Sequence, residues 1–376
     1  MRQRKLICLV TMTALLLGLS SLARSTIEPE TIGVKELATP SESWLMARAG
    51  LGTYYIFDAA NGEMHGLIGA TAFTPAIEVN LAANEFYAAE SYYSRLTNGD
   101  RTDVVTIYDV PTLSPKAEIK VPNKIAALPF RHYIALLDDQ RFLALFNLTP
   151  AQSVTVVDLQ QQTFVTELST PGCALTVPSV ERAFLQICGD GKLQLIRLNG
   201  EGQEAERVRS QSFFKIDDDP VFDKTAAVPE GWLFISYNGQ VFTASVDGSK
   251  VSVSKPWSLL DDEQRAADWR PGGGQFFTYH AAQDLLFVLM NSKGGYSHDS
   301  AGDEVWIYKR AEKRLLTRLP LPHQGTDLFV TRTAKPLLSV SGTDGQLHVY
   351  DVESQKLQRS IAEIGTGAGY LQGVTH

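Results

Sequence analysis

The chain has 376 residues, 44% apolar and 20% charged, a globular mix that excludes a disordered polymer and suffices for one large domain or two ordinary ones. Its 34 basic and 42 acidic residues give a net charge of −8, which argues against a protein that coats nucleic acid, since phosphate binding needs a basic face. Three cysteines exclude a disulfide-dense scaffold and a four-cysteine zinc site.

The first 23 residues read as a secretory signal peptide. Arg2, Arg4 and Lys5 form a basic start, Leu6 to Ala23 is uncharged and Leu-rich, and Ser21 and Ala23 place small residues before a cleavage point. The rival reading is an uncleaved anchor, because 18 uncharged residues nearly span a bilayer. No later stretch is comparably apolar, so a soluble mature chain without membrane contact is expected. Cleavage after Ala23 removes three cations and no acid, which takes the net charge from −8 to −11. Residues 24–48, with Pro29, Pro40 and several acids, do not fit the pattern that follows. They read as a tail or as an N-terminal arm that packs on something.

From residue 49 to 376 a short β-rich phrase closing on a polar residue recurs seven times. It begins as Tyr54-Tyr55-Ile56-Phe57-Asp58, Val105-Thr106-Ile107-Tyr108-Asp109 and Val154-Thr155-Val156-Val157-Asp158. It continues through Leu193–Arg197, Val241–Ser245 and Val305–Lys309 to Leu347–Asp351. The intervals run from 39 to 64 residues and average about 49. Asn-Gly and Asp-Gly pairs, such as Asn61-Gly62, Asp190-Gly191 and Asp344-Gly345, supply tight hairpin turns along the same map. Helical periodicity is confined to Asp261–Asp268, ended by Pro271. Short strands, tight turns and this period predict an all-β, seven-bladed β-propeller; a pair of β-sandwiches would not predict a steady period.

Signal cleavage also removes Cys8 and leaves Cys173 and Cys188. They sit at matching ends of a predicted hairpin, and an exported compartment permits a bridge. Closing that loop stabilises by roughly 3 kcal/mol in the chain-entropy model. The alternative is two buried free thiols; a redox pair lacks the C-x-x-C spacing.

Catalytic motifs are missing. There is no G-x-S-x-G, H-E-x-x-H, phosphate loop or haem-attachment sequence, and the seven histidines are scattered. Neither catalytic residues nor a metal site are expected on this chain. Asp217-Asp218-Asp219-Pro220 reads as a solvated loop before a cation site. Trp269-Arg270-Pro271-Gly272-Gly273-Gly274 reads as a turn with an aromatic anchor, and Gly294–Asp299 as a long loop.

Several phrases in order resemble the heavy chain of the quinoprotein amine dehydrogenases, the methylamine and aromatic amine enzymes. They are Tyr93–Val105 leading into Ile107-Tyr108-Asp109, then Pro171-Gly172-Cys173 with Ile187-Cys188-Gly189-Asp190-Gly191, and Pro256–Glu263 followed by Trp269-Arg270-Pro271-Gly272-Gly273. The resemblance runs from about residue 45 to 360. It implies a seven-bladed propeller, the periplasm, and a heterotetramer of two heavy and two light chains. It implies that the cofactor, tryptophan tryptophylquinone, and the catalytic base belong to the light chain. It implies oxidative deamination of primary amines to aldehyde and ammonia, with electrons passed to a cupredoxin, an amicyanin or azurin. The family's heavy-chain arm reaches a neighbouring subunit, which favours an arm at 24–48. Phe73, in Ala72-Phe73-Thr74-Pro75, matches a family Phe at the mouth of the substrate channel, where an aromatic ring helps select the amine; a Phe packed in the subunit interface is the plainer reading. Some phrases sit closer to the aromatic-amine branch and others to the methylamine branch, so the substrate stays open. A stand-alone exported propeller enzyme with a metal or hydrolytic site in its channel, and a propeller acting as a protein-binding platform, are the competing readings.

Overall fold

A computed structural model describes residues 36–50, 52–294, 299–362 and 370–375. The expected signal peptide, residues 24–35 of the expected arm, part of the Gly294–Asp299 loop and His376 lie outside them. The described chain is an all-β propeller, and every strand pairing is antiparallel.

The first sheet is β1 (Trp44–Ala49), β2 (Thr53–Asp58) and β3 (Met64–Gly69), with β29 (Leu371–Gly373) added beside β1. The second is β4 (Ile77–Asn80), β5 (Glu85–Arg95), β6 (Asn98–Asp109) and β7 (Pro115–Val121). The third is β8 (Ile134–Leu136), β9 (Phe142–Asn147), β10 (Ser153–Asp158) and β11 (Thr163–Ser169). The fourth is β12 (Cys173–Ser179), β13 (Ala183–Cys188), β14 (Leu193–Leu198) and β15 (Glu204–Arg209). The fifth is β16 (Ala226–Val228), β17 (Gly231–Ile235), β18 (Gln240–Asp247) and β19 (Lys250–Val253), with β20 (Trp257–Ser258) on β18.

The remaining strands form one eight-stranded sheet: β21 (Arg270–Pro271), β22 (Phe277–His280), β23 (Leu285–Asn291), β24 (Gly302–Lys309), β25 (Arg314–Val330), β26 (Leu337–Gly342), β27 (Leu347–Asp351) and β28 (Leu357–Ile361). The expectation of seven separate blades is therefore corrected: among the described residues, five blades stand as separate sheets. The cause is β25, which runs unbroken for 17 residues. Its first part pairs with β24 from Lys309↔Arg314 to Glu304↔Pro320, and its last part pairs with β26 from Gly325↔Gly342 to Val330↔Leu338. Gly325 pairs on both sides, with Gly302 and Gly342.

The seven recurring phrases fall in β2, β6, β10, β14, β18, β24 and β27. Strands inside a stack of sheets are covered on both faces, so they read as near-continuous apolar runs; all six residues of β10 and all seven of β23 are buried. The closing polar residue starts the next turn. Asp58 accepts from the amide of Ala60 at 2.8 Å, Asp158 from Gln160 at 2.9 Å and Asp351 from Ser354 at 2.7 Å. The glycines of Asn61-Gly62 and Asp344-Gly345 adopt positive φ, at 81° and 79°. The predicted helix forms as α1 (Asp262–Ala266), with Asp261 and Gln264 in a reciprocal capping box.

β1 begins at Trp44, so the last residues of the expected 24–48 arm are a strand of the first sheet. Of the residues before it, Leu37 donates its amide to the carbonyl of Pro111 at 2.7 Å, and Ser43 donates its hydroxyl to Asp58 at 2.6 Å. The chain's two ends meet in one sheet: Leu45, Met46 and Ala47 pair with Gly373, Gln372 and Leu371.

Candidate functional site

Residues at or just before the starts of β8, β16, β22 and β29 line one cleft of about 550 Å3. Four different sheets thus present their innermost strands to a common axis. Arg48, Arg131, Lys224, Gln275, Asp327 and Tyr370 are among its walls.

Asp327 is buried, and burial pushes its pKa up. Its carboxylate accepts from the main-chain amides of Gln275 at 2.7 Å and Tyr370 at 3.1 Å, so it ties three chain segments together. The turn Trp269–Gly274 reaches the cleft beside it. A side chain at Gly274 would lie 2.7 Å from the Asp327 carboxylate, so only glycine fits there. Lys224 pairs with Asp223 at 2.5 Å and lies 4.2 Å over the Phe130 ring. His132 is buried with Nε2 2.7 Å from the hydroxyl of Thr225, and burial holds its pKa well below the usual value, so it is neutral.

Phe73 stands on the loop between β3 and β4 and is not among the residues that line this cleft. Its ring meets Tyr93 edge-on at 5.2 Å. Two contacts fix the loop. Arg48, from the cleft wall, donates to the carbonyl of Ala72 at 3.4 Å. Glu90, fully buried on β5, accepts from the amide of Thr71 at 2.9 Å, and from the hydroxyls of Thr106 and, at 3.3 Å, Tyr108. Burial raises the Glu90 pKa, while these donors hold it down.

Tyr93 belongs to a hairpin that outruns its sheet. β4 pairs with β5 only up to Ala88, and β7 pairs with β6 only from Asp103, so the outer halves of β5 and β6 pair with each other alone. At the tip Leu96 is 90% exposed. The sequence phrase Tyr93–Val105 is this hairpin.

Cys173 and Cys188 are bridged, facing one another across β12 and β13 in the fourth sheet, a different sheet from the one Phe73 leads into. The Asp217–Asp219 loop is tied by its own contacts: Asp219 accepts from Ser236 at 2.6 Å and from the amide of Asn238 at 2.8 Å. Among the described residues no group of three or more His, Cys, Asp or Glu is arranged to hold a metal ion, and no helix is long and apolar enough to cross a membrane. Sequence reasoning passed over Arg48, Glu90 and Asp327. For Glu90 the signal was there: a lone acid closing the apolar run Phe86-Tyr87-Ala88-Ala89.

These features define first a class, the β-propellers with a walled axial cleft. Two solved structures show the same fold. A dihydro-heme d1 dehydrogenase, NirN, superposes with a TM-score of 0.58 at 15% identity, over 93% of this chain and 79% of that one. The β-propeller domain of Cps50 (Swd1) from Myceliophteria thermophila superposes with a TM-score of 0.57 at 11% identity, over 86% and 98%. At such identities the likeness concerns fold alone. The family model described as "Methylamine dehydrogenase heavy chain (MADH)" matches residues 47–373. The methylamine dehydrogenase heavy chain of Paracoccus versutus is 27% identical over 318 residues, covering 83% of this chain and 74% of its own length. That of Methylobacillus flagellatus is 26% identical, covering 83% and 79%. The chain belongs to the methylamine dehydrogenase heavy chain family, as the phrases quoted from its sequence implied.

Proposed function

We propose that this chain is the non-catalytic heavy subunit of a periplasmic amine dehydrogenase. In this reading residues 1–23 are a cleaved signal peptide, and the residues that follow, up to β1, are an arm toward a neighbouring subunit. Two such chains hold two light chains, which carry tryptophan tryptophylquinone and the catalytic base. Primary amines are deaminated to aldehyde and ammonia, and a cupredoxin takes the electrons. This chain supplies the scaffold and one wall of the substrate channel, with Phe73 at its mouth.

The observation that carries the reading is the family match over residues 47–373, which spans every sheet. The surroundings of Phe73 are compatible with a channel role: it is half-buried, on a loop pinned by Glu90 and by Arg48, which itself lines the axial cleft.

Purification from the periplasm of a host that also expresses a light chain of the methylamine dehydrogenase type tests it. A quinone absorption band that travels with a smaller partner subunit, together with amine-dependent reduction of a copper protein, is the expected result. Full amine oxidation by this chain purified alone overturns it.

A further inference from the structure

Arg131 stands in the short turn before β8, and Arg332 follows the end of β25. Both line a second, smaller pocket of about 80 Å3 on the axis, which shares Arg131, Thr225 and Gln275 with the larger cleft. Its walls include Trp232, Phe277 and Phe329, and its donors include Gln275 and Thr278. None of its lining residues is Asp or Glu. Among the described residues neither guanidinium has a carboxylate within ion-pair distance. Glu42 and the carboxyl of Glu78 act on Arg332 and Arg131 only from further off.

Two guanidiniums thus line one pocket whose lining contains no acid. Arg332 is an exposed residue, and its partial desolvation at the pocket, then the like charge of Arg131, lower its pKa. Each guanidinium presents a fork of N–H donors suited to two oxygens of one anion, and Thr278 and Gln275 add further donors. A two-oxygen carboxylate satisfies one fork; an anion with more oxygens satisfies both. The pocket has room for several waters, well below the roughly 300 Å3 of a pocket for a drug-sized ligand.

We propose that this pocket binds a small tetrahedral oxyanion, of the phosphate or sulfate class, held between Arg131 and Arg332 on the propeller axis. The anion joins the turn before β8 to the strand β25 across the axis. It binds the folded chain and not the unfolded one, so it raises stability by mass action. This site does not include Phe73 and does not depend on the amine dehydrogenase reading.

The test is thermal unfolding of the intact protein at fixed ionic strength, titrated with phosphate, sulfate, formate or chloride. Phosphate and sulfate raise the melting temperature saturably, and formate and chloride do not. Arg332→Gln keeps the fold in anion-free buffer, and its phosphate affinity falls at least about tenfold. Arg332→Lys keeps the charge and recovers part of the response. Equal shifts from all four anions, or an unchanged phosphate response in Arg332→Gln, overturns the proposal.

Discussion

The side-chain amide of Gln372 donates a hydrogen bond of 2.8 Å to the main-chain carbonyl of Ile77, 295 positions away. Gln372 is in β29 and Ile77 in β4, so this contact fastens the last strand to the neighbouring sheet where the ring closes. Both residues are buried, and the Gln372 oxygen is taken by the hydroxyl of Tyr370. Gln372→Leu leaves both partners without a bond at constant bulk. It should lower stability by about 2 kcal/mol, read as a lower urea midpoint with an unchanged slope. An unmoved midpoint refutes a role in closure.

Glu90 holds the Phe73 loop from below. Glu90→Ala strands the amide of Thr71 and the hydroxyls of Thr106 and Tyr108 in a dry site. A loss of about 3 kcal/mol is expected, and Glu90→Gln, which keeps one acceptor, should lose less. If the two variants unfold alike, the carboxylate is not what anchors the loop.

Phe73→Ala removes the ring that meets Tyr93 edge-on. In the assembled enzyme it should change the ratio of kcat/KM between short aliphatic and aromatic amines by about tenfold. The same measurement on the parent tells which amine class is preferred. A proportionate loss for all amines would assign Phe73 to packing.

Glu78 carries a pH signature. Burial raises its pKa from 4.5 to about 7, against the pull of Arg131. Its folded form therefore holds a proton that the unfolded chain releases near pH 4.5. The associated stability is full below that pH and is lost as pH rises to 7, to a total of up to about 3 kcal/mol. Glu78→Gln cannot ionise. It should match the parent at pH 4 and exceed it at pH 8 in chemical unfolding; a constant difference across that range contradicts the assignment.

The Cys173–Cys188 bridge closes a hairpin whose strands pair without it. The double variant Cys173→Ser with Cys188→Ser should keep the fold and lose about 3 kcal/mol. Complete loss of folding would show that the hairpin needs the bridge to form.

The sequence made some of this visible and hid the rest for physical reasons. The seven phrases could be read because a strand covered on both faces must be apolar, and because a polar residue follows it at the turn, an aspartate in four of the seven. The cysteine pair could be read because both residues end β runs. The joined sheet could not. Arg314–Val330 contains two prolines and a glycine, Pro320, Pro322 and Gly325, which in a sequence mark a break between strands. Here Pro320 pairs opposite Glu304, and the register shifts near Gly325 keep the run continuous. The axial pocket was hidden because Arg131 and Arg332 lie about 200 positions apart, and no local pattern links residues that only ring closure brings together.

The long strand β25 also sets how this part of the molecule comes apart. A strand that hydrogen-bonds to β24 at one end and to β26 at the other cannot leave one neighbour without disturbing the other. The eight strands from β21 to β28 then form a single cooperative opening unit, a foldon, whereas each of the five separate sheets can fluctuate by itself. In amide exchange, Leu319, in the part of β25 paired with β24, and Leu328, in the part paired with β26, should report one shared opening free energy.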